Sequence, residues 1–269
     1  MPGCSITFLG TGNAAVSKCY NTCFLLRTPS TTLLVDAGGG NGILAQLRGV
    51  GVSLDDIHHL YLTHAHTDHI LGAVWVVRLI AQHFLSGKYQ GELHIYGHDR
   101  VLHCLTEICK LLLPKKQILF GTQTFLHEVR DGDQFTINDL QLTAFDIHSS
   151  KEKQFGFRAI LPSGKTLVCL GDEPFNEANL PLVKGAQWLL SEAFFLYCER
   201  EEFKPYEKHH STALDAGRLA KSLMIENLIL YHTEEKNLAR RKELYTAEAQ
   251  GEFGGNIFVP NDLETIILD

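Results

Sequence analysis

The segment Thr63-His64-Ala65-His66-Thr67-Asp68-His69 places three imidazoles and a carboxylate within seven residues, directly behind an apolar run. Such a set is useful only where the backbone makes its donor atoms converge, so it restricts the fold more than any other stretch of the chain. Ile57 to Leu62 read as a strand, and the apolar residues from Ile70 to Leu85 read as a buried helix. The histidines therefore belong to a strand-to-helix loop. In an extended stretch His64 and His66 point to the same side, so both reach one ion. Asp68 and His69 enter the helix, diverge from that pair and serve a second. Imidazole with carboxylate suits Zn²⁺, with Mn²⁺ or Fe²⁺ as alternatives, at roughly 2.0–2.2 Å per bond for zinc. The bland alternative is a histidine-rich surface turn in a chain of fourteen histidines. The added Asp-His pair and the buried helix behind it weigh against that.

Around this segment the chain alternates short strands with helices. Strands read around Ile6–Leu9, Cys23–Arg27, Thr32–Asp36 and Leu93–Tyr96, with helices around Asn41–Arg48 and from Asp99 to Leu113, the latter ended by Pro114. Thr124 to Leu170 is again strand-rich. Helices follow at Ser211–Met224 and Leu238–Ala249, and strands near Asn256–Val259 and Glu264–Leu268 close the pattern. The class is α/β. At 269 residues, 45% hydrophobic and 20% charged, the chain is long enough for one sizeable core, and no linker or charge block divides it, so a single domain over 1–269 is expected.

The formal net charge of −7 becomes −3 once the four positive charges of two divalent ions are added, which excludes a broadly basic nucleic-acid binder. Seven cysteines, Cys4, Cys19, Cys23, Cys104, Cys109, Cys169 and Cys198, are odd in number and lie among apolar neighbours, as reduced and mostly buried thiols do. Met1 runs towards a first strand with no charged-then-apolar leader, and Arg78 and Gln82 interrupt the longest apolar stretch. A cytoplasmic protein without a membrane segment is the expectation. The stripe from Val101 to Leu113 is read as buried in the monomer, with a homodimer interface as the alternative.

The H-x-H-x-D-H pattern of His64 to His69 resembles the signature of the metallo-β-lactamase fold superfamily. That resemblance implies a four-layer αββα sandwich with its metals at one edge of two sheets. It also implies further ligands at strand ends: His148 after Leu140–Ile147, Asp172 after Thr166–Gly171, and His232 after Leu228–Tyr231. Carried over by position, His64, His66 and His148 hold one ion, Asp68, His69 and His232 hold the other, and Asp172 bridges. A hydroxide between the ions is the implied nucleophile, with Asp68 part of the catalytic set, and the residual positive charge favours an anionic phosphodiester, either a small molecule or RNA.

Ser191-Glu192-Ala193-Phe194 and His210-Ser211-Thr212-Ala213 are similar to two segments of the ribonuclease Z branch of this superfamily, with Ser191 in place of that branch's first histidine. The resemblance implies that Glu192 positions His210, which donates a proton to the leaving oxygen; the adjacent His209 is the other candidate. A helix cap at Ser211 or Thr212 is the structural alternative and is compatible with catalysis. Asn21 resembles an early asparagine of the branch, with Tyr20 in place of its arginine. The turns Leu9-Gly10-Thr11-Gly12-Asn13 and Asp36-Ala37-Gly38-Gly39-Gly40 are expected to be tight and close to the site, Asp36 serving either as a hydrogen-bonded support for the ligands or as a turn cap.

One departure concerns substrate. The branch carries a long flexible arm between the equivalents of His148 and Asp172, whereas here these residues are 24 positions apart, an interval filled by two strands and the turn Pro162-Ser163-Gly164-Lys165. Two basic clusters remain, Lys204 with Lys208, and Lys236, Arg240, Arg241 and Lys242; the second is expected to be a solvated face. The alternatives are a glyoxalase II-like ester or thioester hydrolase of the same fold and, in a different class, a non-catalytic metal-binding module. A secreted β-lactamase and a di-iron redox enzyme rank below these, for want of a leader and because His66 is not a glutamate.

Overall fold

Runs of β-branched and aromatic residues with period two, and longer runs with period near 3.6, resolve into strands and helices over residues 3–269, which the computed structural model describes. The strands are β1 (Ser5–Gly10), β2 (Cys23–Arg27), β3 (Thr32–Val35), β4 (His59–Leu62), β5 (Leu93–Gly97), β6 (Thr124–Glu128), β7 (Gln134–Ile137), β8 (Leu140–Asp146), β9 (Phe155–Ile160), β10 (Thr166–Cys169), β11 (Trp188–Glu192), β12 (Asn227–Tyr231), β13 (Asn256–Phe258) and β14 (Thr265–Ile267). The helices are α1 (Gly42–Gly49), α2 (Thr67–Leu85), α3 (Asp99–Leu112), α4 (Leu180–Val183), α5 (Arg200–Phe203), α6 (Ala213–Ser222) and α7 (Arg241–Gln250).

Two seven-stranded sheets form, ordered β14-β1-β2-β3-β4-β5-β6 and β13-β12-β11-β10-β9-β8-β7. The last strand returns to the first sheet, where Ile266 of β14 faces Ile6 of β1. Phe8, Tyr61, Phe157, Leu190 and Ile229 fill the space between the sheets. Leu25, Leu60, Val76, Ile80 and Leu105 join the outer face of the first sheet to α2 and α3, and Leu189, Ala216, Ala220 and Tyr245 join that of the second to α6 and α7. The result is the αββα sandwich that the sequence resemblance implies.

Topology brings the site residues to one edge. β10, β11 and β12 are parallel, so their C-terminal ends lie together and present Asp172, Glu192 and His232 on the same side. Thr63, at the end of β4, accepts a backbone hydrogen bond from Phe155 of β9 at 3.0 Å, which ties the two sheets together at that edge. Helix α2 starts at Thr67 rather than Ile70, so Asp68 and His69 lie in its first turn.

Entry into α6 is set by a capping box. Thr212 Oγ1 accepts from the Asp215 N–H, and the Asp215 carboxylate accepts from the Thr212 N–H at 3.1 Å. Thr212→Ala should lower the unfolding free energy by about 1–2 kcal/mol, measured by denaturant titration. At the other end of the first sheet, burial, reinforced by repulsion from His94, His58 and His127, pushes the His59 pKa down to about 4. The unfolded chain takes up this proton near pH 6.5 and the folded chain only near 4, so the contribution is present above 6.5 and lost as pH falls between these values. Melting temperature should therefore fall across that window, and His59→Asn should flatten the slope.

Candidate metal centre and active site

Asp36 leaves β3 with a left-handed backbone, φ 54°, and so turns its carboxylate under the histidine loop. Its Oδ1 accepts from the Thr63 N–H at 2.8 Å, and its Oδ2 bonds Thr63 Oγ1 at 2.7 Å and His69 Nδ1 at 2.8 Å. Fixing Nδ1 leaves Nε2 of His69 as the free donor, the usual part of a carboxylate beside a ligating histidine. The following turn packs on α2: the Gly72 N–H bonds Gly38 O at 2.8 Å, and a Cβ at Gly72 would lie 1.8 Å from Ala37 O. Of the two roles open to Asp36, the supporting one is present.

The candidate donor atoms gather around Asp172. Its Oδ2 lies 3.5 Å from His64 Nε2, 3.6 Å from His69 Nε2 and 3.6 Å from His232 Nε2. Asp68 Oδ2 lies 3.4 Å from His69 Nε2 and 3.7 Å from His232 Nε2. Among the described residues, four groups have donor atoms within 4.8 Å of one another: His64 with His66 and Asp172, and Asp68 with His69 and His232, follow the expected ligand pattern, while Asp36 with His64 and His69, and Glu192 with His210 and His232, overlap them. Roughly 3.3 Å is the edge of a tetrahedron with bonds of about 2.0 Å, so these separations suit shared divalent ions. Nε2 of His69 and of His232 are buried with no hydrogen-bond partner, which is how a metal-ligating imidazole stands when the ion is not counted. The donor set fits.

Electrostatics in the protein alone point the same way. Burial would raise the Asp172 pKa, but His64, His232 and His69 outweigh it and hold the carboxyl well below its ordinary range. Asp68 is likewise held low against burial by His69 and His232. Burial disfavours the His69 imidazolium, yet Asp68 and Asp36 prevail and raise its pKa well above the usual value. Positive charge at this point is what the carboxylates favour.

His148 is not brought into either set. It lies two residues beyond β8 in a left-handed conformation, φ 59°, with an exposed side chain, and its N–H is held by Asp146 Oδ1 at 2.7 Å. Gln154, a residue that the sequence reading passed over, reaches the centre from the same loop: its Nε2 lies 2.8 Å from His64 Nδ1 and also bonds Asp172 Oδ1.

His210 and Glu192 meet at the centre. Nδ1 of His210 is 3.5 Å from Oε2 of Glu192, and Glu192 Oε1 accepts from the Ser211 N–H at 2.5 Å. Glu192 is buried, and Phe194 stacks on His210 with ring centroids 4.1 Å apart and planes 19° apart. His209, by contrast, is exposed. The loop therefore brings His210 to the centre and leaves its neighbour outside, while Thr212 caps the helix behind it.

A cavity of about 430 Å³ opens here, lined among others by His66, Asp68, Asp172, His210 and His232. Lys151 also lines it and was missed, because a lysine in a polar loop carries no spacing signal. In the second basic cluster Lys236, Arg240 and Lys242 are exposed as expected, and Arg241 alone departs from expectation. Lys236 pairs with Glu199 and Glu202, Arg240 with Glu243 and Lys242 with Glu264, whereas Arg241 is buried and donates to Thr233 Oγ1 at 2.8 Å and to Pro260 O at 2.7 Å. Arg241 thus holds the loop that follows His232 and is not part of a solvated face.

The profile of the family described as "Anti-Pycsar protein Apyc1" matches residues 4–250. Among curated proteins, ribonuclease Z of Methanothermobacter thermautotrophicus (strain Delta H) is 26% identical over 274 aligned residues, covering 84% of this chain and 85% of the relative. Among solved structures, the metallo-β-lactamase fold protein YhfI from Bacillus subtilis superposes with a TM-score of 0.80 at 21% identity, covering 98% of this chain and 99% of that one. The short form of human tRNase Z gives 0.76, also at 21% identity and with the same coverage. The sandwich is a metallo-β-lactamase fold.

Proposed function

Because the chain belongs to the family described as Anti-Pycsar protein Apyc1 and has ribonuclease Z among its relatives, we propose that it is a metal-dependent phosphodiesterase whose preferred substrate is a small phosphodiester. The observation that carries this reading is the approach of Asp172 Oδ2 to within 3.6 Å of the Nε2 atoms of His64, His69 and His232, on a cavity that His210 also lines. The preference for a small substrate rests on size and on what the loops lack. About 430 Å³ lies in the range of small-ligand sites. No arm is inserted between β8 and β10, where the chain makes only the loop before β9 and a short turn after it.

His64, His66 and Asp172 would hold one ion, and Asp68, His69 and His232 the other, with His148, which stands outside both sets in this structure, proposed as a further ligand of the first. Zinc is the metal that the imidazole-rich set favours. Bound divalent ions supply positive charge to the phosphoryl oxygens and make an attacking water acidic near neutral pH. The remaining work falls to the chain. Asp36 keeps His69 Nε2 turned inward, Glu192 Oε2 faces Nδ1 of His210 at 3.5 Å, and Phe194 stacks on that ring. Nε2 of His210 is then the atom that delivers a proton to the departing oxygen.

Zinc-loaded protein incubated with bis(p-nitrophenyl) phosphate and with a 3′-extended precursor transfer RNA tests the assignment. Hydrolysis of the small diester that a chelator abolishes, with little or no cleavage of the RNA, is the expected result. Efficient cleavage of the RNA at its 3′ processing position would overturn the small-substrate preference, and inertness towards both would overturn the phosphodiesterase reading. His148→Ala should lower bound zinc from two equivalents towards one, read by elemental analysis; an unchanged content would remove His148 from the ligand set.

A further inference from the structure

Lys151 is the one lysine lining the site cavity, and its place there is built rather than incidental. Its Nζ donates to His210 Nε2 at 3.2 Å and lies 3.7 Å from Glu173 Oε1. Glu173, next to Asp172, is 7% exposed and also accepts from Ser149 Oγ at 2.7 Å and from the Ser150 N–H at 3.4 Å. Ser149 Oγ in turn accepts from the N–H groups of Lys151 and Glu152 at 3.2 and 3.3 Å. One buried carboxylate thus ties down the loop Ser149–Glu152 beside the cavity and holds the ammonium against His210 at its wall. The contact with His210 has a chemical meaning, since a lysine ammonium has no acceptor and the Nε2 that it bonds must carry the lone pair. In this arrangement His210 cannot deliver a proton from Nε2, and something has to draw the lysine away.

We propose that Lys151 is the substrate-phosphate anchor of this enzyme. Its ammonium bonds a non-bridging phosphoryl oxygen, and by leaving His210 it frees the Nε2 lone pair to take up a proton from solvent, which that nitrogen then gives to the leaving oxygen. Glu173 positions the lysine and does not touch substrate. The anionic group recognised is a phosphoryl group, because the cavity joins this ammonium to the inward-facing donors of two divalent-ion sets, a combination that gives one tetrahedral anion several partners at once. The inference rests on the phosphodiesterase reading for its catalytic consequence, but not for the anion site itself.

The test pairs binding with kinetics on zinc-loaded protein. Inhibition by inorganic phosphate and hydrolysis of bis(p-nitrophenyl) phosphate are measured for wild type, Lys151→Gln, Lys151→Arg and Glu173→Gln, with zinc content and melting temperature as controls. Lys151→Gln should weaken phosphate inhibition and raise KM, each at least about tenfold, with zinc content unchanged. Lys151→Arg should recover most of that loss, and Glu173→Gln should give an intermediate KM. Unaltered phosphate inhibition in Lys151→Gln overturns the anchor, as does a loss in kcat alone that arginine does not rescue. If no diester is hydrolysed, phosphate binding is followed directly by calorimetry. Binding weakened in Lys151→Gln then upholds the anion site while the phosphodiesterase reading fails, and equal binding sinks both.

Discussion

Asp172→Ala should abolish hydrolysis, with a loss on the order of 10⁴-fold or more, and should strip the protein of at least one ion. The carboxylate stands within 3.6 Å of three imidazole nitrogens that belong to both ligand sets, so its removal opens both. Each ion contributes several kcal/mol of charge stabilisation, and 10⁴-fold corresponds to about 5 kcal/mol. Asp172→Asn keeps the shape while removing the charge, and separates ligation from packing. It should lose zinc and activity together and still show a cooperative melt. Zinc analysis beside initial rates decides the matter: an Asp172→Asn protein that retained two equivalents and more than a hundredth of wild-type turnover would show that Asp172 does not join the two sets.

The second large effect is expected at His210. Its replacement by alanine should reduce turnover about 10²–10⁴-fold with zinc content unchanged, because the ring stacks on Phe194 and faces Glu192, and the group that it forms with Glu192 and His232 lacks both Asp68 and Asp172. The size of the loss should follow the leaving group. A p-nitrophenolate departs without a proton, so His210→Ala should hardly slow an activated diester, whereas an alkoxide leaving group should show the full loss. An equal deficit on both substrates would give His210 a structural role instead. Glu192→Gln should lie between wild type and His210→Ala, and His209→Ala should behave as wild type, since that side chain is exposed.

Local chemistry explains why so much of the site could be read from the chain. His64, His66, Asp68 and His69 are neighbours in sequence, and the switch from a period of two to one near 3.6 around them specifies a strand-to-helix loop. Asp172, Glu192 and His232 follow or end short apolar runs, but it was the family resemblance that singled them out and implied their place at one edge. Boundaries moved by a few residues. α2 begins at Thr67, and the helix expected from Leu238 begins at Arg241, after a single tight turn over Leu238–Arg240. Composition also described Cys4, Cys23, Cys109 and Cys169 correctly as buried thiols, although Cys198 is exposed.

What the linear pattern could not carry are relations between residues far apart in the chain. Lys151 and Glu173 are 22 positions apart, and His210 is 59 beyond Lys151. Gln154 meets His64 across 90 positions, and nothing in a glutamine's surroundings announces such a contact. Arg241 looked like one more charge on a solvated helix until packing buried it against Thr233 and Pro260. The sequence by itself determined the α/β class and marked His64, His66, Asp68 and His69 as candidate donors, because these follow from side-chain type and from periods along one strand or helix, while the sandwich and the candidates Asp172 and His232 came from the family resemblance. Only the tertiary structure decided that His210 rather than His209 faces the centre, that His148 stands apart from the sets around Asp172, and that Lys151 lines the cavity. These depend on the direction in which a loop sets each side chain, and that direction comes from contacts with strands the loop does not adjoin in sequence.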